Sequence, residues 1–393
     1  MKLRYNTKKY FIYGITGFSI IINILFLYIE IRQRNSMHEF WRMLCIQNPP
    51  LENTNEFKEQ IIIGAQDILT KGINIPEQYE YTSLKEKIEN LFYNKKSNFN
   101  DIAFKYGENA FLMESLLEYA FYTRNKQIDD FVIKKFDENI LNESNTLKKV
   151  DQVPYGCVAI ELYEITHKKK YKDYAQLVFN FLSKRDTTNI GILYSDGERQ
   201  NVEATGYICP FLMKYSSYFN CTKAKDIAIR QIENYCKYAC DPNNGMPTIV
   251  WKRFPPYNAL YSNNWGRGNA WFCIGLLSVK ESDLTDFTQN IIKKYCNTLI
   301  NIYKRNGAFH QYLDLPETGI ALDAELPLLY FLHKKNKLIL HKKDLLKYSQ
   351  YLQDGVLYHS SGVYHQLYGP CYIVGSSNRL SSAFMIKLLN EIP

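Results

Sequence analysis

The sequence predicts an all-α protein made of helical hairpins, on three observations. From Gly107 onward the chain falls into amphipathic stretches of roughly 12 to 20 residues joined by short polar turns. These pair as 108–123 with 128–141, 154–166 with 171–183, 206–219 with 223–240, 269–279 with 284–304, and 321–332 with 343–354. The hairpins recur about every 50 to 60 residues, the mark of a repeat architecture. The first helix of a pair is nearly uncharged at its start, as in Ala270-Trp271-Phe272-Cys273-Ile274-Gly275-Leu276-Leu277, whereas its partner carries a charged stripe, as in Lys223-Ala224-Lys225-Asp226. A helix apolar all round is buried all round. Such a set either stacks as an open solenoid or closes into a double-layered α/α barrel with the uncharged helices inside, and that apolar character favours closure. A last helix, 380–390, has no downstream mate and could pair with one from residues 55–94, which would make twelve helices.

Ahead of this barrel, assigned to residues 105–393, the elements read in order as follows. Residues 1–9 are a basic segment with Lys2, Arg4, Lys8 and Lys9. Residues 10–29 carry no charge, and as a helix at 1.5 Å per residue they span roughly 30 Å, enough to cross a bilayer's hydrocarbon core. An Arg-Gln-Arg-Asn-Ser-Met stretch follows instead of a small-residue cleavage site, so residues 10–31 read as a transmembrane signal anchor. Four basic residues before the span against two just after it place the bulk of the chain on the extracytoplasmic side of a single-pass anchor. A buried amphipathic helix is the competing account of the same run. Residues 32–104 read as a juxtamembrane helical segment broken by Pro49-Pro50.

Composition narrows the function classes. The 46% hydrophobic content supports a sizeable core in 393 residues. The net charge of +8 is spread over short lysine runs such as Lys168-Lys169-Lys170 in predicted turns, which reads as solvated surface and not as a nucleic-acid groove. Thirty-two tyrosines and 22 phenylalanines suit both an aromatic core and a sugar-lined cleft. Nine cysteines without a CxxC pair argue against a disulfide framework. Cys236 and Cys240 share a helix face, but nothing nearby completes a metal site, so no metal or cofactor is expected.

Polar residues just ahead of the inner helices should converge at one end of a closed barrel: Asp151, Glu203, the 265–269 segment and Glu317. Asp151 and Glu203 stand at equivalent places of successive repeats. Paired carboxylates in unlike environments supply the acid and base of glycosidic chemistry, although each could equally cap its own helix. The segment Trp265-Gly266-Arg267-Gly268-Asn269-Ala270-Trp271 adds two indoles that could stack on sugar rings, a guanidinium fork that matches a carboxylate, and the Asn269 amide. Gly266 and Gly268 would let a substrate approach the backbone. Equally, the tryptophans could be interhelical core. The aromatic stretch 364–372 is either a rim to the cleft or a plain turn, and His310 reads as structural.

The 265–271 segment resembles the WGRGNGW motif of the unsaturated glucuronyl and rhamnogalacturonyl hydrolases, in the six-hairpin glycosidase superfamily. Asp151-Gln152-Val153-Pro154-Tyr155-Gly156, followed by Leu162-Tyr163 and Thr166, is similar to the family's Asp-bearing segment. Val202-Glu203 leading to Pro210-Phe211-Leu212 resembles its VDGLYMGAPFL element. The resemblance spans residues 105–393 and implies an (α/α)6 barrel. It further implies a general acid that protonates the C4=C5 vinyl ether of a terminal unsaturated uronic acid and then helps water add at C5. On this chain Glu203 would take the acid/base place and Asp151 that of the partner carboxylate, while Arg267 and Trp271 match binding residues. The sequence departs from the pattern at Glu203, where the family has Asp, at Ala270 for Gly, and near Ile249 and Lys252, where the family carries a histidine and an aspartate.

The expected function is hydrolysis of an acidic or unsaturated-uronate-containing surface polysaccharide by carboxylate chemistry, the partners being an oligo- or polysaccharide and, through the anchor, a membrane. Alternatives are an inactive polysaccharide-binding barrel serving assembly or export, and a lyase or epimerase with a Tyr or His base.

Overall fold

A computed structural model describes residues 19–24, 48–71, 107–142, 147–185, 187, 199–252, 263–366, 369–376 and 378–392. Its helices are α1 (Thr54–Lys71), α2 (Glu108–Thr123), α3 (Lys126–Phe136), α4 (Tyr155–Thr166), α5 (Lys169–Ser183) and α6 (Glu203–Phe219). They continue as α7 (Thr222–Ala239), α8 (Gly266–Ser278), α9 (Asp286–Asn306), α10 (Leu322–Lys334), α11 (Lys342–Leu345) and α12 (Arg379–Glu391). The even-numbered helices α2, α4, α6, α8, α10 and α12 pack each on the next, and α12 packs back on α2. That last contact closes the ring and excludes the open solenoid.

Burial follows the sequence pattern. Every residue of α10 from Leu322 to Leu332 is buried. Outer helix α7 buries one stripe, Ala224, Ala228, Ile232, Tyr235 and Ala239, and turns its lysines away. Each Leu, Ile or Phe so enclosed contributes roughly 1.5–3 kcal/mol. Helix α1 lies against α12 and α2, so the mate of the last helix comes from ahead of the barrel in sequence.

Three hairpin turns share one device. Helices α2, α4 and α6 end on Arg124, His167 and Asn220, left-handed at φ 54°, 56° and 53°. One further residue, Asn125, Lys168 or Cys221, then leads straight into the outer helix. At this end Lys214 on α6 pairs with Glu114 on α2 at 2.8 Å and with Glu161 on α4, while Lys387 on α12 meets Glu118 on α2 at 2.8 Å. Burial pushes the Glu161 carboxyl up to about 7 against the opposing pull of Lys214. These pairs stitch four inner helices together.

The opposite end carries longer connections with small antiparallel ladders, which the all-α reading did not anticipate. They are β1 (Arg199–Asn201) with β2 (Val250–Lys252), β3 (His310–Tyr312) with β4 (Leu315–Ile320), β5 (Leu352–Gln353) with β6 (Val356–Leu357), and β7 (Ser360–Gln366) with β8 (Gly369–Ser376). The described residues of the 364–372 stretch are therefore part of a hairpin, with Tyr364 opposite Cys371, and not a plain turn.

The membrane-anchored, single-pass placement is corrected. Among the described residues no helix is long and apolar enough to cross a membrane. Of the run at 10–31 only residues 19–24 are described, as helix, and the rest lies outside the described residues, as does the first part of the juxtamembrane segment, 32–47.

Two measurements test this packing. A Cβ on Gly64 of α1 would fall 1.9 Å from the carbonyl oxygen of Gly355 in the β5–β6 turn. Gly64→Ala should cost about 1–3 kcal/mol, seen as a lower Tm, and an unchanged Tm would mean that α1 does not rest there. On α10, Glu325 is fully buried, accepts hydrogen bonds from the Phe309 amide and the Tyr348 hydroxyl, and is pushed by burial from 4.5 up to about 7. A carboxyl with a raised folded-state pKa binds more protons folded than unfolded, so stability falls as pH rises between about 4.5 and about 7. Glu325→Gln should flatten that part of the stability profile, and an unaltered slope would count against it.

Candidate active site at the mouth of the barrel

Ring closure gathers the starts of all six inner helices, and each brings a charged residue in or beside its first turn. They are Glu108 on α2, Asp151 in the single 3-10 turn (Val150–Gln152) before α4, Glu203 on α6, Arg267 on α8, Asp323 on α10 and Arg379 on α12. Acids suit the positive ends of helix dipoles, whereas an arginine there needs acidic neighbours. Arg267 has them: its Nη2 is 2.5 Å from Glu108 Oε1, and its Nε is 3.7 Å from Asp323 Oδ2. Both acids raise the Arg267 pKa, outweighed by neither burial nor distance.

Glu203 is the first residue of α6 and is anchored through its neighbour, since the Val202 amide donates to the Ile249 carbonyl at 2.9 Å just inside the β1–β2 ladder. Burial raises the Glu203 pKa, Arg267 opposes the rise, and Glu108 reinforces it. One turn along, Tyr207 feels Glu203, Glu108, Arg267 and Asp151 together, and burial above all holds its hydroxyl neutral. Asp151 is drawn in by the close approach of its carbonyl to Gly107, where a Cβ would fall 1.9 Å away, and its charge is felt by Tyr155 and Tyr207. Asp151, Glu203 and Arg267 thus share one environment, as their placement before successive inner helices implies.

The remaining residues expected in the cleft divide. Trp265 is half-buried at the start of α8, bridged to Tyr312. Asn269 is fully buried; its Nδ2 donates to the Asn263 and Trp265 carbonyls at 2.9 Å and its Oδ1 accepts from Tyr295. That amide latches the loop to the wall. Trp271 is also fully buried, its ring 4.5 Å from Tyr207 and 5.5 Å from Phe111, so its faces are taken by aromatic neighbours and not by a sugar. Gly266 and Gly268 serve packing as well: a Cβ would fall 2.5 Å from the His310 carbonyl oxygen or 2.7 Å from Ile249 Cδ1. Glu317 sits in β4 on an exposed stretch, and Asp323, fully buried, stands at Arg267 in its stead.

Sequence reasoning missed Glu108, Asp323 and Tyr207. The first two are first-turn acids of inner helices, and Tyr207 lies four residues after Glu203, on the same helix face. Ile249, near which the resemblance would put a histidine, is a buried apolar side chain packed under Gly268.

No curated protein matches the chain. Solved structures match it at low identity and show the fold. A possible member of glycoside hydrolase family 105 from Klebsiella pneumoniae has a TM-score of 0.68 at 15% identity, covering 88% of this chain and 95% of that one. A family 105 glycoside hydrolase from C. acetobutylicum has a TM-score of 0.62 at 16% identity, over 85% of this chain and 99% of the other. An unsaturated glucuronyl hydrolase from Streptococcus agalactiae has a TM-score of 0.60 at 15% identity, over 87% and 93%. The sequence model of Glycosyl Hydrolase Family 88 matches residues 83–326, well over half of the chain. With that match and the six-hairpin ring described above, the chain belongs to Glycosyl Hydrolase Family 88.

Proposed function

We propose that the protein is a glycoside hydrolase acting on a saccharide that ends in an acidic, unsaturated uronic acid, with Glu203 as the proton donor and Asp151 as its partner carboxylate. The observation that supports this reading is the environment of Glu203: a carboxyl at the start of an inner helix whose pKa burial raises, with Arg267 opposing the rise and Glu108 reinforcing it, next to Tyr207, which also feels the charge of Asp151 from the preceding hairpin. A carboxyl that holds its proton above the ordinary carboxylate range can give it to C4 of a vinyl ether. The positive charge that develops at C5 is met by Asp151, and the carboxylate left on Glu203 takes a proton from the water that adds at C5; the resulting hemiketal opens its C5–O ring bond, and the hemiacetal left at C1 releases the glycosidic oxygen as an alcohol. Tyr207 is held neutral and so does not serve as the base that a lyase would need.

A second reading, a barrel that binds polysaccharide without cleaving it, is favoured by one feature. Ile249 offers no proton and no hydrogen bond where the family's resemblance places a histidine.

Incubation with unsaturated oligouronides, followed by loss of the vinyl-ether absorbance, separates the two. Glu203→Gln should lower kcat by about 10²–10⁴-fold with binding kept. Because the acid must be protonated and its pKa is raised, kcat should fall with increasing pH along an alkaline limb that lies above the ordinary carboxylate range and that the Gln variant lacks. Binding without product from any glycan, in wild type as in the variant, would leave the non-catalytic barrel.

A further inference from the structure

The guanidinium that should greet an anionic sugar is already engaged. Arg267 Nη2 meets Glu108 Oε1 at 2.5 Å, and Nε, whose N–H lies along the same edge of the planar group as Nη2, has Asp323 Oδ2 at 3.7 Å. The Arg267 and Glu108 side chains keep only 21% and 13% of their surface exposed, so little water screens the pair. A guanidinium recognises a carboxylate through paired N–H groups along one edge, and here one edge holds a carboxylate of the protein itself. The surroundings add to this. Although the whole chain carries +8, the described residues at the mouth number four acids, Glu108, Asp151, Glu203 and Asp323, against the two arginines 267 and 379.

We propose that Glu108 is a specificity-determining residue whose carboxylate stands on Arg267 where the carboxylate of a sugar would bind, so that an acidic sugar reaches the guanidinium only by displacing it. This rests on the reading of the mouth as a saccharide site, but not on that site being catalytic. Glu108 acts as a tethered competitor. It caps the affinity for uronates and narrows the gap between an acidic sugar and its neutral counterpart. Asp323, fully buried behind Arg267, cannot yield in the same way and keeps the guanidinium in place when Glu108 moves aside.

The test uses the full chain carrying Glu203→Gln to prevent turnover, with calorimetric titration of an unsaturated glucuronyl disaccharide and of the same disaccharide reduced at the carboxyl. Adding Glu108→Gln should tighten binding of the acidic probe about tenfold, equivalent to about 1.4 kcal/mol, and leave the reduced probe unchanged. If Glu108→Gln lowers the Tm too far to titrate, Glu108→Asp, which retracts the charge by one methylene, should give a smaller gain of the same sign. An acidic-to-reduced affinity ratio that stays constant or falls in the variants would overturn the inference, even if the wild-type protein hydrolyses uronides. A ratio that rises upholds it, even if no turnover is ever seen.

Discussion

The contact of α12 with α2 is the constraint on which the rest of the molecule depends. Without it the inner helices would fan out and their first turns would face different directions. With it, six like ends of helix dipoles meet at one mouth, each equivalent to roughly half a positive charge. Acids are the natural occupants of such a place, and four of the six first-turn charges are acidic. The same crowding puts acids near one another, so their individual fates are set by burial and by Arg267. For Glu203 desolvation raises the pKa, Arg267 opposes the rise, and Glu108 reinforces it.

The 265–271 segment joins mouth and core. Arg267 joins the charged groups of the mouth and Trp265 packs half-buried against the core, whereas Asn269 and Trp271 are fully buried in the wall. Asn269 ties three backbone and side-chain partners together, and Trp271 fills the space between α2 and α6. The closeness of Gly206 to Trp271, where a Cβ would fall 2.8 Å from Cε3, shows how tightly α6 and α8 approach. The segment therefore sets the distance between Glu203 and Arg267 by packing as much as by polar contacts.

Much of this was legible in the sequence. Periodicity gave the helices, and the contrast between uncharged and striped partners separated inner from outer layers. The charge-free start of 270–277 marks α8, which is buried from Gly268 to Leu276. Asp151, Glu203 and Arg267 could be brought together because each precedes or opens an inner helix. Roles within the ring were not legible, since no local pattern tells whether an indole faces a cleft or a neighbouring helix: Trp265 and Trp271 differ only in the turn they occupy. Glu108 was hidden for a related reason. Its partner Arg267 lies 159 residues away, and only closure brings them into contact. The β1–β2 and β5–β6 ladders were missed because their strands of two or three residues leave no period to read.

The hairpin turns have an evolutionary consequence. Where Arg124, His167 and Asn220 reverse the chain, one residue more or less would rotate the following outer helix off its stripe, so those three turns are closed to length change. Insertions are easily accommodated in the connections of the opposite face, where β1 to β8 already lie. New sugars can thus be accommodated by remodelling the rim alone, while the ring that holds the six charges keeps its phase.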